Sequence, residues 1–564
     1  MMEAITRLLK EIYASSLTQA QLDTIKSRIT FAKSTLQQPR KNHWDQNDVV
    51  LITYADQFME AEQPTLSTLT TFFDQRLKQT FNVVHLLPFY PYSSDDGFSV
   101  IDYHQVNPIV GSWQNISRLH ESTRLMFDFV CNHISAHSKW LESYRAQQMD
   151  YQDFFINLPP ATDLSTVTRP RTSPLLTPFT MQNEETRYLW TTFSADQVDL
   201  NFGNPNVLIS IVGVLLHYLT QGADYIRLDA VGYLWKEIGT RCIHLPKTHL
   251  LVKLFRAIVD EVAPGTVIIT ETNVPHQDNV SYFGNGHDEA HMVYQFPLPP
   301  LVLHAIHNGS SRALRQWATS LESGRSDVTY LNFLASHDGI GMNALRGILP
   351  EIEINNLVRN LEAEGALVSY KQNTDGTTSP YEINVTFLDA LNQRKDTDDI
   401  RLRRFMLAHA ILLAFPGVPA IYIQSILGSR NDYEGVKAAG RNRAVNREKY
   451  PLPSIEAALQ DESSLRSRIF HQLSSLIQTR RKQPAFHPDA AMELMEGENA
   501  LFAFYRRHER QTLLCLFNLG AKVLSCTLPN GHYQDVISHR PYTAGTPLTL
   551  EPFQYLWLEN SVAQ

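Results

Sequence analysis

Apolar positions along this chain gather into short runs with two different periods. From residue 49 onward eight runs are apolar nearly throughout, at 49–54, 83–87, 125–130, 225–229, 267–270, 292–296, 330–335 and 420–423. Runs of this length without polar alternation suit strands covered on both faces, as in a parallel sheet. Between several of them apolar residues return every three or four positions, which predicts helices over 206–220, 247–262 and 402–414. Eight buried strands joined by helical crossovers predict an α/β fold, a (β/α)8 TIM barrel.

The pattern differs at both ends and in two long intervals. Ile5, Leu8, Leu9 and Ile12, then Leu22, Ile25 and Ile29, recur at helical spacing. They predict a helical N-terminal extension over 1–47 that lies on the barrel. Beyond residue 484, segments 501–505, 512–517, 523–528 and 555–558 alternate or run apolar between turns such as Pro529-Asn530-Gly531. They predict a C-terminal all-β domain over 484–564. The intervals 134–203 and 340–392 read as inserted domains after the third and seventh strands. The barrel itself then occupies 48–133, 204–339 and 393–483. Loops of that length in a compact domain are usually functional.

Composition narrows the class. The 564 residues are 43% hydrophobic and 19% charged, enough to build large cores. A net charge of -9 without a long basic run gives no sign of nucleic-acid binding. No stretch of about 18 uninterrupted apolar residues is present, so no membrane span is expected. Cys131, Cys242, Cys515 and Cys526 form no CxxC pair and read as free thiols. Early acids at the N-terminus do not suit a secretory signal, and a cytoplasmic protein is expected. The sequence is compatible with an oligomer.

Polar groups cluster where the apolar runs end. Asp95, His133, Arg227, Asp229, Glu271, His337 and Asp338 fall at or just after the ends of strands, the rim on which such barrels build active sites. Three carboxylates on one rim suit glycosyl transfer: one attacks as nucleophile and another protonates the leaving oxygen. Arg227, two residues before Asp229, is expected to lower that acid's pKa and keep it ionised. Glu271 needs a raised pKa to act as the acid. His133 and His337 could donate to sugar hydroxyls. A metal site built from Asp128, Asn132 and His133 is the chemical rival, but Asp128 lies mid-strand and no HxH or HExxH spacing occurs. No metal and no cofactor are expected.

Asp128-Phe-Val-Cys-Asn-His133, Tyr225-Ile-Arg-Leu-Asp-Ala-Val231, Glu271 after VIIT, and Ala335-Ser-His-Asp338 resemble the four signature regions of the α-amylase superfamily. The resemblance covers the chain from about residue 49 to its C-terminus. It implies Asp229 as nucleophile, Glu271 as acid/base and Asp338 as transition-state stabiliser.

Segments 85–91 and 95–103, Arg169-Pro-Arg171, Arg227–Tyr233, His337–Gly341 and Phe415–Pro419 are similar to the sucrose phosphorylase branch, which cleaves α-glucosides with phosphate and retention. By that matching Asp95, His133, Arg227, His337 and Arg447 would hold the glucosyl ring. Arg171 and Tyr381 would meet phosphate or the acceptor, and Tyr233 belongs to the same motif. The chain departs from sucrose phosphorylases at Glu382, where they have Gln, and at Glu271-Thr-Asn273-Val-Pro-His276.

With the N-terminal extension, these departures look more like glucosylglycerate phosphorylases. The implied partners are an α-glucoside, phosphate and a glycerate-like acceptor. Ionised Glu382 would accept from the acceptor's hydroxyls, and Asn273, His276, Arg171 and Arg430 are candidates for its carboxylate. Use of sucrose or glucosylglycerol, hydrolysis by water, and a non-catalytic relative are the competing readings. The last would be expected to lose acids that this chain keeps.

Overall fold

Eight parallel strands close on themselves: β1 (Val50–Thr53), β2 (Val83–Leu86), β3 (Arg124–Phe129), β4 (Tyr225–Leu228), β5 (Val267–Thr270), β6 (Met292–Tyr294), β7 (Thr329–Phe333) and β8 (Val418–Tyr422). This computed structural model describes residues 1–36, 44–321, 327–545 and 547–560. Each strand pairs with its sequence neighbours, and β1 closes the ring on β8 with Val50 opposite Ala420. The expected TIM barrel is present, and every anticipated strand lies in it. The strands are buried almost throughout because helices cover them outside and side chains fill them inside.

The helices obey local rules. α1 spans Met2–Tyr13, α2 Gln19–Thr35, α3 Pro205–Thr220, α4 Pro246–Val262, α5 Asp398–Ala414 and α6 Leu465–Arg481. α3 starts at Asn204, whose side chain accepts from the Asn206 N–H at 3.0 Å, and Pro205 takes the first position, where no N–H is needed. Pro246 does the same for α4.

The N-terminal extension packs its apolar stripe, Ile5, Leu8, Leu9 and Ile12, inward against α4, while α2 lies on α3 and α4. Tyr13 Oη donates to the Phe202 carbonyl at 2.8 Å, which ties it down. The helical reading of 1–47 needs correction. A capping box splits it, with the Thr18 hydroxyl accepting from Gln21 N–H at 3.2 Å and Gln21 Oε1 accepting from Thr18 N–H at 2.9 Å. The helix then ends at Thr35, residues 37–43 lie outside the described residues, and 44–47 form a turn.

Both long intervals carry small sheets. After β3, His133–Ser135 pairs antiparallel with Gln197–Asp199, and Leu176–Thr180 with Thr186–Trp190. After β7, Leu367–Gln372 and Thr378–Asn384 form a hairpin beside Ile340–Gly341, with a helix at Glu351–Ala363. A bridge between Arg169 and Gln372 joins the two excursions.

The C-terminal part is an antiparallel six-stranded sheet, Ala491–Leu494, Leu501–His508, Gln511–Asn518, Tyr555–Asn560, His532–Asp535 and Pro541–Thr543 in spatial order, with a second pair at Leu524–Thr527 and Pro547–Leu550. Two buried arginines pin it to the barrel. Arg480 of α6 donates to the carbonyls of Leu413 (3.0 Å) and Phe486 (3.1 Å). Arg506 donates to those of Ala414 (2.6 Å) and His487 (2.7 Å). Burial pulls the two guanidinium pKa values down to about 9 and about 10, so both stay charged at neutral pH.

Candidate active site

Strand β4 delivers Arg227 and Asp229 to the inside of the barrel. Ala230 turns into the left-handed region (φ 49°), which ends the strand and leaves the Asp229 carboxylate at its mouth. Arg227 is wholly buried beneath. Its Nη1 donates to Asp229 Oδ1 at 2.8 Å and to Asp128, while its Nε donates to Tyr294 Oη at 2.9 Å. Its Nη2 stands 3.7 Å from Glu271 Oε2. One guanidinium therefore spans both of the acids expected to do chemistry. Asp128 is held in turn by His85 Nε2 at 2.7 Å.

The three carboxylates have distinct electrostatics. Burial raises Glu271 most; Arg227 opposes this, the charges of Asp229 and Asp338 add to it, and the pKa reaches about 7. Asp229 is also raised, because burial outweighs Arg227. This corrects the expectation that Arg227 would lower it outright. At about 7, Glu271 is suited to carry a proton near neutrality, while Arg227 favours the charged form of Asp229 against its burial. Asp338 moves the other way. Burial raises it, but Arg443, His337, Arg227 and Arg447 together hold it well below the usual carboxylate range. Arg443 Nη1 stands 2.7 Å from Asp338 Oδ1.

Around the carboxylates lies a narrow cavity of about 60 Å³. Of the anticipated residues, Asp95, His133, Arg171, Asp229, Tyr233, Glu271, Asn273, His337, Asp338 and Tyr381 line it. Asp95 comes from a tight turn in which Asp95 (φ 52°), Asp96 (φ 47°) and Gly97 (φ 112°) are all left-handed. A Cβ on Gly97 would stand 2.6 Å from the Pro88 carbonyl, so only glycine fits. The turn sends Asp95 to the cavity and Asp96 to Arg447, whose Nη1 lies 2.6 Å from Asp96 Oδ2.

Arg171 lies over the rings of Tyr381 (5.0 Å) and Phe193 (5.5 Å), so one side chain from each excursion meets at the mouth. Asn273 packs its amide against the Gly341 backbone, and its Oδ1 is buried without a partner among the described residues.

Other anticipated contacts are placed differently. His133 lines the cavity, but its Nε2 meets the Phe98 carbonyl at 2.9 Å and its Nδ1 meets Asn132 Nδ2 at 3.2 Å, so neither nitrogen is left for a sugar. His337 stacks on Phe98 at 4.9 Å, and burial holds it neutral. Arg227 braces the acids from below. Arg447 braces the wall by donating to the His337 carbonyl at 2.8 Å.

Glu382 is nearly wholly buried behind the cavity. Both its oxygens accept from Arg443, at 2.9 Å from Nε and 3.1 Å from Nη2, so it is not a free acceptor for substrate hydroxyls. Of the carboxylate candidates, Arg430 pairs with Asp389, and His276 sits among Trp317 and Tyr330; neither lines the cavity. Asn132, the residue of the metal alternative, accepts from Lys236 Nζ at 3.0 Å, and that ammonium stands 2.6 Å from Asp199.

Arg443, Phe98, Phe193 and Gln197 line the cavity without having been anticipated. Arg443 sits in the arginine-rich run Arg441-Asn-Arg-Ala-Val-Asn-Arg447, the one signal that could have pointed to it.

A parallel eight-stranded barrel with three differently tuned carboxylates at the strand ends defines an enzyme that breaks or makes glycosidic bonds. Comparison with known proteins narrows this. Residues 54–346 match the alpha amylase catalytic domain, and 492–557 match the maltogenic amylase C-terminal domain. The glucosylglycerate phosphorylase of Escherichia coli (strain K12) is 55% identical over 560 residues, covering 99% of this chain and 100% of that protein. The glucosylglycerate phosphorylase of Spirochaeta thermophila is 46% identical over 492 residues, 87% of this chain and 83% of that one. Among solved structures, sucrose 6F-phosphate phosphorylase from Thermoanaerobacter thermosaccharolyticum superposes with a TM-score of 0.73 at 25% identity, covering 84% of this chain and 94% of that one. The chain belongs to the α-amylase family, in the branch that holds these phosphorylases. No helix among the described residues is long and apolar enough to cross a membrane.

Proposed function

We propose that this protein is a retaining α-glucoside phosphorylase that converts 2-O-α-glucosylglycerate and phosphate reversibly into α-D-glucose 1-phosphate and glycerate. The observation that carries the reading is the pair of acids on one guanidinium, with Glu271 holding its proton to about pH 7 beside Asp229, which Arg227 grips at 2.8 Å. Asp229 attacks the anomeric carbon and the bond to glycerate breaks. Glu271 gives its proton to the departing oxygen. A phosphate oxygen then attacks the same carbon, the bond to Asp229 breaks, and the phosphate proton passes to Glu271. Two inversions give net retention.

Asp338, kept ionised by Arg443, would oppose the positive charge that develops on the sugar. Asp95 would bind ring hydroxyls. Arg171, stacked on Tyr381, would meet phosphate, for which its fork of donors is suited. Asn273, whose amide can be turned to present N–H groups, would face glycerate. The high identity to glucosylglycerate phosphorylases over the full chain supports this acceptor over fructose. All reactants are small molecules. Four cysteines without a disulfide suit a cytoplasmic enzyme.

The test is an acceptor screen with α-glucose 1-phosphate as donor, reading released phosphate. D-glycerate is expected to release phosphate fastest. Fructose or glycerol at the top of the ranking would refute the substrate.

A further inference from the structure

On the far side of Tyr233, Asn273, Val274 and Tyr381 the reaction cavity has a neighbour of about 690 Å³, more than ten times its own size. Its other walls come from residues 166–170 of the first excursion, the 241–244 loop after β4, Pro275 and Asp278 after β5, and Asn343, Arg346 and residues 371–375 of the second excursion. Four cations line it, Arg169, Arg241, Arg346 and Lys371, against two acids, Asp278 and Asp375. His244 adds no charge near neutrality, because burial pulls its pKa down to about 4. Asp375 turns an oxygen to the N–H (2.9 Å) and hydroxyl (2.6 Å) of Thr377.

The cations are short of partners. Among the described residues, the side chains of Arg241 and Lys371 make no hydrogen bond or ion pair. Arg346 donates to Ser379 Oγ at 3.0 Å, and Arg169 to the Ser173 carbonyl at 2.6 Å, while the buried Arg169 Nε has no acceptor. Burial and then the like charges of Arg346 and Arg241 pull the Lys371 pKa down to about 8. Four cations in a concave wall outnumber its two carboxylates, an excess that attracts anions and raises their local concentration.

We propose that this outer cavity is a capture site for a small oxyanion, from which the anionic reactant passes the Tyr233–Tyr381 wall to the acceptor side of the reaction cavity. The proposal rests on the functional reading above, in which the two species that exchange at the glucosyl group, phosphate and glycerate, are both anions. Arg241 and Lys371 supply long-range attraction. Arg346 and Arg169 supply donors, with forks that fit carboxylate and phosphate alike.

The test uses the full-length protein with Arg241→Gln, Arg346→Gln and Lys371→Met, singly and combined. One arm measures KM for phosphate in phosphorolysis. A second measures KM for glycerate with the uncharged donor α-glucosyl fluoride, and a control follows hydrolysis of that fluoride by water. The triple variant is expected to raise KM for at least one anion about tenfold and to flatten the fall of kcat/KM with ionic strength. Hydrolysis of the fluoride should stay within a factor of two. The arm that moves names the anion captured. Unchanged KM in both arms, or equal losses in all three reactions, would overturn the proposal. A wild-type enzyme that transfers to neither anion would instead fault the functional reading.

Discussion

At Glu271 burial and two neighbouring carboxylates favour the protonated form, with a pKa of about 7 against an ordinary 4.5. A folded-state pKa above the unfolded one stabilises the fold below the ordinary value, and that contribution is lost as pH rises through about 7. Glu271→Gln cannot ionise, so it should melt higher than wild type at pH 8, by about 1 °C or more, with the gap closing at pH 5. The same variant should lose about a hundredfold or more in phosphorolysis, the usual worth of a positioned acid, and less with α-glucosyl fluoride, whose leaving group needs little protonation. Equal melting temperatures at both pH values would remove the stored cost.

Glu382 bears a different test. It grips Arg443, and Arg443 holds Asp338, so Glu382→Gln should lower kcat/KM about tenfold for every glucosyl donor, about 1.4 kcal/mol. A loss confined to glycerate would mean that Glu382 meets the acceptor after all. The contrast shows what was legible. Asp229, Glu271 and Asp338 could be read because charge at the end of an apolar run is conspicuous. Glu382 and Arg447 turn out to face ion-pair partners for another reason: a motif gives a residue's address but not the direction of its side chain. Arg443 was missed because every partner it has lies far from it in sequence.

At the scale of elements, the barrel strands were legible because parallel strands buried on both faces leave unbroken apolar runs. The C-terminal sheet was legible in part. Leu501–His508 and Gln511–Asn518 stand out, but Ala491–Leu494 and Pro541–Thr543 lie at the sheet's two edges and carry exposed residues, so no apolar run marks them. The α1–α2 break was written in Thr18 and Gln21, a capping box that apolar periodicity alone passes over.

One element contact bears directly on acceptor choice. A Cβ on Gly341 would stand 2.6 Å from Asn273 Oδ1 and 2.7 Å from its Nδ2. Gly341→Ala should therefore displace the Asn273 amide and raise KM for glycerate several-fold, while hydrolysis of α-glucosyl fluoride holds. If both fall together, the strand pair at Gly341 matters for the whole site and not for the acceptor.

Across the whole molecule, the two excursions meet over the rim through the Arg169–Gln372 bridge and the stacking of Arg171 on Tyr381. This is where a phosphorylase must favour phosphate over water. Arg171→Ala should weaken phosphate use by a few kcal/mol at most, the range for lost charge-assisted bonds, and spare hydrolysis. Equal loss of both would make Arg171 a structural clamp.

We propose that the C-terminal sheets form a domain of their own, pinned to the barrel by Arg480 and Arg506, and that α1 and α2 brace α3 and α4. The two arginine clamps were not legible, since burial of an arginine among carbonyls leaves no mark on the sequence.

The central claim is phosphorolysis of glucosylglycerate through a covalent glucosyl–enzyme. Its most direct measurement is turnover of 2-O-α-glucosylglycerate and of sucrose with phosphate, following the anomer of the glucose 1-phosphate formed. The account predicts the α-anomer, kcat/KM at least about tenfold above that for sucrose, a difference of about 1.4 kcal/mol, and no turnover by a correctly folded Asp229→Asn variant. Formation of the β-anomer, free glucose as the main product in excess phosphate, or near-normal turnover by Asp229→Asn would contradict it.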